Sequence, residues 1–204
     1  MNHSLNLVKT VALIALTVNS AYALDLEIDT AHSNIGFDIK HLMISSVNGN
    51  FKEFNGNISL DESKFENTKI NFVVKTASIN TNNEKRDGHL KSPDFFDVTK
   101  PENEEATFTS TNIKKIGQNK YTLTGDLKIH GVTKKQNFEL NNLGKVSDPF
   151  SKIPKYVFTA KTKIVRKDFG LTYNSTLETG GVLIGDTADL KIDIEAAPKA
   201  ATTK

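Results

Sequence analysis

The twelve residues RDGHLKSPDFFD (86–97) contain the side-chain types that an active site would need. Arg86 can bind an anion, and Asp87 and His89 can act as a general base and a general acid. Catalysis would also require a nucleophile or a metal and an orienting partner. The sequence contains neither a Gly-x-Ser-x-Gly nucleophile elbow nor a His-Glu-x-x-His zinc motif. We therefore interpret this segment as structural and predict that it closes a cavity.

The remainder of the chain shows how such a segment would be positioned, because it alternates between apolar and polar residues almost throughout. In one run, Tyr121, Leu123, Leu127 and Ile129 alternate with polar residues, which is typical of a half-buried strand. Turn signals such as Gly180-Gly181 separate the runs. We count about eight strands and no long periodic helix.

Antiparallel strands with one solvated face must either close on themselves or pair as two sheets. Since helices that could form a second layer are missing, the pattern predicts an all-β fold, a single eight-stranded antiparallel β-barrel. Small residues fall on its inward face at Gly56, Gly125 and Ala160, and we expect them to leave space for an apolar ligand. The alternative is that the inward phenylalanines form an ordinary core.

The segment from Asn82 to Lys91 interrupts the strand pattern and predicts a short capping helix. Asn82 or Asn83 can cap its first turn, and Pro93 follows its end. The apolar underside of this excursion consists of Leu90, Phe95 and Phe96. We expect it to lie across an open end of the barrel, held there by polar contacts of Arg86 and Asp87.

The N-terminus has the pattern of a secretory signal peptide. Lys9 precedes a short apolar run from Val11 to Val18, and Ala21-Tyr22-Ala23 matches a small-x-small cleavage site. We predict a signal peptide at 1–23 with cleavage after Ala23, a barrel domain at 24–198 and a C-terminal tail at 199–204. The predicted location is the periplasm, and no segment is long and apolar enough to be a transmembrane helix.

Composition excludes further classes of function. The absence of cysteine excludes disulfides, thiolate metal sites and cysteine nucleophiles. Removing the predicted signal peptide removes one lysine, which leaves 26 − 1 = 25 basic residues against 24 acidic ones. With this balance and no basic stripe interleaved with aromatics, we expect no nucleic-acid partner.

Four histidines of the predicted mature chain, His32, His41, His89 and His130, suggest an alternative function. Imidazoles can bind zinc or copper without cysteine. However, no two of them lie at the close spacings that a strand or a helix would supply. His41 continues the inward register of its strand, so it can meet a polar head group at one mouth, whereas His130 falls at a turn outside the cavity.

Six segments, in this order along the chain, carry a resemblance to a known family. They are HSNIGFDIKHLMISSVNGNFKEFNG (32–56), RDGHLKSPDFFD (86–97), TFTST (107–111), YTLTGDLKIHGVTK (121–134), RKDFGL (166–171) and GDTADLKIDIEA (185–196). With these segments the chain resembles the YceI-like family of bacterial polyisoprenoid-binding periplasmic proteins. The resemblance implies an extended, lipocalin-like antiparallel barrel around a long apolar ligand. A true lipocalin is excluded, because a chain without Trp lacks the Gly-x-Trp signature.

We therefore predict a periplasmic binding or carrier protein that is not an enzyme and needs no cofactor or metal. Its ligand is a long-chain isoprenoid, such as a quinone or polyprenol, or a similar amphiphilic lipid, and the protein is a monomer or a homodimer. The alternative is a metal-binding or lipid-modifying enzyme that uses His41 and His89. The predicted ligand-binding residues are Phe37, Ile39, His41, Phe54, Ile58, Phe72, His89, Phe95, Phe96, Phe108, Leu127, Ile129, Phe138, Phe158, Ile164 and Phe169.

Overall fold

A computed structural model of the chain describes residues 23–178 and 180–200. The predicted signal peptide and the last four residues of the predicted tail therefore lie outside the described residues, apart from Ala23. The strands are β1 (Leu24–Ile28), β2 (Asn34–His41), β3 (Ser45–Phe51), β4 (Phe54–Leu60), β5 (Lys69–Lys75), β6 (Ile79–Asn80), β7 (Glu105–Gly117), β8 (Lys120–Ile129), β9 (Val132–Ser147), β10 (Pro154–Val165) and β11 (Ile184–Pro198). One α-helix, α1, spans Glu84–Lys91. Within the described ranges, no helix has the length and hydropathy that a membrane span requires.

Eight of the strands form a closed antiparallel ring in the order β1–β4–β5–β7–β8–β9–β10–β11. The ring closes where β1 pairs with β11, with Leu26 opposite Pro198 and Ile28 opposite Ala196. The predicted eight-stranded barrel is therefore confirmed. The structure adds three strands, β2, β3 and β6, which extend from β11 as a branch of the same sheet.

The branch exists because β11 is long enough to pair with two strands along one edge. Its first part, Ile184 to Asp193, pairs with β2, and its last part, Ala196 to Pro198, pairs with β1. Strands β1 and β2 thus follow each other along β11, separated by the segment 29–33, and β3 and β4 follow each other in the opposite direction. We call the end of the barrel where β2 and β10 finish the upper end, and the end where β8 and β10 begin the lower end.

Aromatic rings fill the lower end. Phe65, in a 3-10 turn between β4 and β5, is buried with its ring centroid 4.5 Å from that of Tyr121 and 6.0 Å from that of Phe158. Both partners lie near the start of their strands, β8 and β10. The continuous cluster of buried side chains includes these rings together with Leu26, which is fully buried on β1.

The inward glycines do not leave the space that the sequence suggested. A Cβ atom added at Gly125 would lie 2.3 Å from the ring of Phe108, and one added at Gly56 would lie 2.9 Å from the ring of Phe72. These glycines instead let phenylalanine rings of the neighbouring strands lie close to the wall, an arrangement known to stabilise sheets. Of the small residues predicted to leave space, only Ala160 lines the cavity.

The close approach at Gly125 predicts the effect of adding a single methyl group. We expect Gly125→Ala to lower the free energy of unfolding by about 1–3 kcal/mol, because Phe108 and the Thr109 carbonyl must move. Gly117→Ala is the matched control on β7, since the nearest atom to its added Cβ is 3.7 Å away. Urea denaturation measures both, and equal stability of the two variants would contradict the proposed ring packing.

Candidate ligand cavity

The ring of strands encloses a cavity of about 380 Å³. This volume lies within the range of about 300–1,000 Å³ that is usual for small-molecule sites. Its wall is almost entirely apolar, with contributions from the barrel strands, β2, β3 and α1. The β11 residues that line it are Ile184, Ala188, Leu190, Ile192 and Ile194. Alternation along that strand supports the predicted inward register.

The structure brings all the predicted ligand-binding residues except Phe54 to this cavity. The structure differs from the prediction at Phe54, which does not line the cavity. It is the first residue of β4, directly after the break between β3 and β4, and it packs against the margin of the core instead of lining the cavity. Together with Lys52 and Glu53, it borders a separate open groove on the protein surface. The inward alternation that correctly placed Ile58 therefore stops at the end of the strand.

Helix α1 begins as the sequence predicted, with the Asn83 side chain accepting a hydrogen bond from the Arg86 backbone N–H at 3.0 Å. The network that holds the helix is centred on Thr81, a residue that the sequence interpretation missed. The buried Asp87 carboxylate accepts from the Thr81 backbone N–H at 2.9 Å and from its hydroxyl at 2.5 Å. Arg86 Nε donates to Thr81 Oγ1 at 2.7 Å, and its Nη2 donates to the Thr81 carbonyl at 2.9 Å. Arg86 and Asp87 are thus joined through Thr81.

His89 connects the helix to the segment that follows β10. Its Nε2 lies 2.7 Å from Asp94 Oδ2, and its ring meets Phe95 and Tyr173 edge-on at centroid distances of 5.0 and 4.9 Å. Phe95 is buried, whereas the contact between His89 and Asp94 is exposed. These contacts make His89 a link between two elements that border the upper part of the cavity.

Arg166 holds the segment that follows β10, and the sequence interpretation gave this residue no role. It is 5 % exposed, and its guanidinium donates to the carbonyls of Gly185 at 2.9 Å and Leu171 at 3.0 Å, with a longer contact to that of Tyr173. Burial lowers the pKa of this guanidinium. Gly170, at a φ of +75°, ends the preceding 3-10 turn and lets the chain return over the barrel.

The basic residues of the cavity wall are not matched by acidic ones. They are Lys40, His41, Arg86, His89 and Arg166, and the described lining contains no carboxylate. Lys40 and His41 end β2, and Arg166 directly follows β10, so these three residues lie at the upper end. Arg86 and Arg166 already donate to Thr81 and to main-chain carbonyls, so a ligand in this cavity would meet an almost entirely apolar wall, with His41 as a polar group at the upper end.

The acid and histidine cluster in the described ranges that has the size of a metal site lies elsewhere, at Asp29, His32 and Glu195. It contains neither His41 nor His89. Lys155 already places its ammonium among these groups, 2.6 Å from Asp29 Oδ2 and 3.4 Å from Glu195 Oε1. The hydrogen bond from Lys155 lowers the pKa of the Asp29 carboxyl to about 2. A protein cation therefore occupies the position that a metal ion would take.

Fold and cavity together define the class of this protein, a closed antiparallel barrel whose interior is an apolar ligand-sized cavity with a basic upper end. The model of the YceI-like domain matches residues 26–196, and the chain belongs to this family. A UPF0312 protein of Photorhabdus laumondii is 39% identical over 188 residues, which cover 91% of this chain and 93% of that protein.

Solved structures show the same fold. The YceI protein of Campylobacter jejuni superposes with a TM-score of 0.65 at 36% identity, covering 84% of this chain and 96% of that one. A polyisoprenoid binding domain from Saccharophagus degradans superposes with a TM-score of 0.64 at 16% identity, covering 86% and 99%. The latter likeness is one of fold alone.

The network around Thr81 predicts that the RDGH segment contributes to stability. We expect Asp87→Ala to lower the free energy of unfolding by about 2–3 kcal/mol, because two donors lose a charged acceptor in a buried setting. Asp94→Ala, which removes an exposed carboxylate of the same segment, should cost at most about 1 kcal/mol. Thermal and urea unfolding measure both. An Asp87→Ala variant as stable as the unmodified protein would refute the structural role.

Proposed function

We propose that this protein binds and carries a long-chain isoprenoid, such as a quinone or polyprenol, or a similar amphiphilic lipid in the periplasm. The observation that carries the proposal is the cavity itself, which lies within the barrel and beneath α1, is apolar along its length and is free of carboxylates in its described lining. The periplasmic location rests on the predicted signal peptide at 1–23, and the ligand class is that of the S. degradans domain.

Such a cavity selects its ligand mainly by hydrocarbon burial. Each methylene moved from water into an apolar site contributes about 0.8 kcal/mol, so a long chain binds tightly with few polar contacts. The His41 side chain, at the upper end of the cavity wall, offers a polar contact for an oxygen atom of a head group. We therefore propose that the chain end of the lipid points toward the aromatic rings of the lower end and that the head group lies near His41 and Arg166.

The alternative, a metal-binding or lipid-modifying enzyme that uses His41 and His89, gains no support from the geometry. His89 Nε2 is already held by Asp94, and the ring is fixed between Phe95 and Tyr173. Both histidines line the cavity, where the carrier hypothesis gives them a role beside the head group.

The direct test of the proposal is to identify what the protein carries. Native mass spectrometry of protein purified from its source, followed by organic extraction, should show one dominant hydrophobic adduct that leaves with the solvent. Protein emptied in this way should take up an added isoprenoid quinone or polyprenol and should not take up a short polar analogue. Failure to bind any long-chain lipid after emptying would overturn the proposed function.

Filling the cavity provides a matched pair of variants. Ile129→Trp places added volume in the wall, whereas Thr124→Trp adds the same side chain on the outward face of β8. If the indole displaces about two methylenes of the ligand, affinity should fall on the order of tenfold. Lipid content per folded protein, measured by extraction, should fall for Ile129→Trp alone. Equal lipid content in both variants would place the ligand outside this barrel.

A further inference from the structure

The turn between β2 and β3 exposes three consecutive large apolar side chains. We call Leu42, Met43 and Ile44 the tip, and their exposed fractions are 37%, 58% and 85%. Single exposed apolar residues are ordinary on protein surfaces, but contiguous ones indicate an interaction site. The tip carries no charged residue of its own, and the exposed Lys40 lies just before it on β2.

The backbone of the tip is unfavourable for the residues it contains. Leu42 and Met43 have φ angles of 53° and 64°, in the left-handed region that β-turns normally fill with Gly, Asn or Asp. The turn is nevertheless well anchored, because Leu42 N–H donates to the Leu183 carbonyl at 2.9 Å and Ser45 Oγ donates to the His41 carbonyl at 3.1 Å. Apolar residues at such positions do not stabilise the turn, so we infer that they contact something outside the turn.

The location of the tip indicates what it contacts. It lies at the upper end of the barrel, directly after His41 and against Leu183, and both of these residues line the cavity. The tip thus borders the end of the cavity where Lys40 and His41 lie. A second exposed apolar set, Leu143, Val146, Phe150 and Ile153, lies on the β9–β10 hairpin at the lower end and does not line the cavity.

We propose that the tip inserts into the surface of a lipid bilayer and docks the upper end of the cavity there while a ligand enters or leaves. The inference rests on the proposed function, because a cavity for a water-insoluble chain must exchange its ligand with a lipid phase. Shallow insertion of apolar side chains beside a basic residue is the usual physical basis of reversible membrane binding. Docking at the upper end places the head group side of the cavity against the lipid head groups.

The lack of tryptophan in this chain makes the contact directly measurable. Ile44→Trp introduces a single reporter in the tip, and Phe150→Trp introduces one at the 93% exposed position of the lower hairpin. Vesicles of phosphatidylcholine, with and without phosphatidylglycerol, should shift the emission of the tip reporter to shorter wavelength, more strongly with phosphatidylglycerol. The Phe150 reporter should not shift. A shift of the Phe150 reporter alone, or of neither reporter, would overturn the proposal.

A second variant separates membrane docking from ligand binding. Leu42→Asn combined with Met43→Asn removes apolar surface at two positions whose backbone favours asparagine, so the variant should be at least as stable as the unmodified protein. Its affinity for the same vesicles should fall by about tenfold or more, and transfer of a bound lipid to vesicles should slow in parallel. Binding of the same lipid added from solution should be unchanged.

These measurements distinguish failure of the docking proposal from failure of the proposed function. Unchanged vesicle binding and transfer in the double variant overturn docking and leave lipid carriage standing. Absence of lipid uptake by the unmodified protein overturns carriage, whatever the vesicles show. An emission shift of the Ile44→Trp reporter that depends on protein concentration without vesicles would assign the tip to a contact between two copies and would also overturn docking.

Discussion

The closed ladder of backbone hydrogen bonds is the constraint on which the rest of this structure depends. An interior that holds a cavity cannot be kept in shape by side-chain packing alone, because the atoms that line empty space lack partners there. The strands must therefore hold each other. Pairing of β1 with β11 at only three positions closes the ring, whereas β10 and β11 pair at ten. The short β1 is therefore central to the architecture although it contributes little to the cavity wall.

Closure by a short strand explains the division of the wall into two levels. At the lower level, β1 and β4 complete the ring between β11 and β5. At the upper level, β2 pairs with β11 and β3 pairs with β2, and this branch ends at β6 without pairing with β5. Helix α1 and the segments around it border the cavity at this level. Since α1 pairs with no strand, its position rests on side-chain contacts, which explains why a buried carboxylate and an arginine converge on Thr81. The charged segment RDGH, which suggested catalysis, thus holds helix α1 in place over the cavity.

The local alternation of the sequence predicts the strands and the barrel, but it does not predict contacts between distant parts of the chain. Alternation predicted the inward set on β8 and the barrel that follows from it, because period two is a property of each strand taken alone. It did not reveal that β11 pairs with two strands on one edge, or that the rings of Phe108 and Phe72 occupy the space above glycines. Arg166 and Tyr173 lie in a segment without periodicity, so their positions depend on contacts between distant parts of the chain.

The two ends of the barrel have different physical properties, and this asymmetry gives the cavity a direction. The lower end is filled by Phe65 against Tyr121 and Phe158, and opening it would expose buried aromatic surface to water. The upper end is bordered by α1 and the segment after β10, which touch each other through His89 and Tyr173 beside the exposed contact of His89 with Asp94. Local opening occurs where few buried apolar contacts are lost. A chain that enters this barrel should therefore do so at the upper end, with its apolar terminus first, and the head group would then remain beside the basic residues.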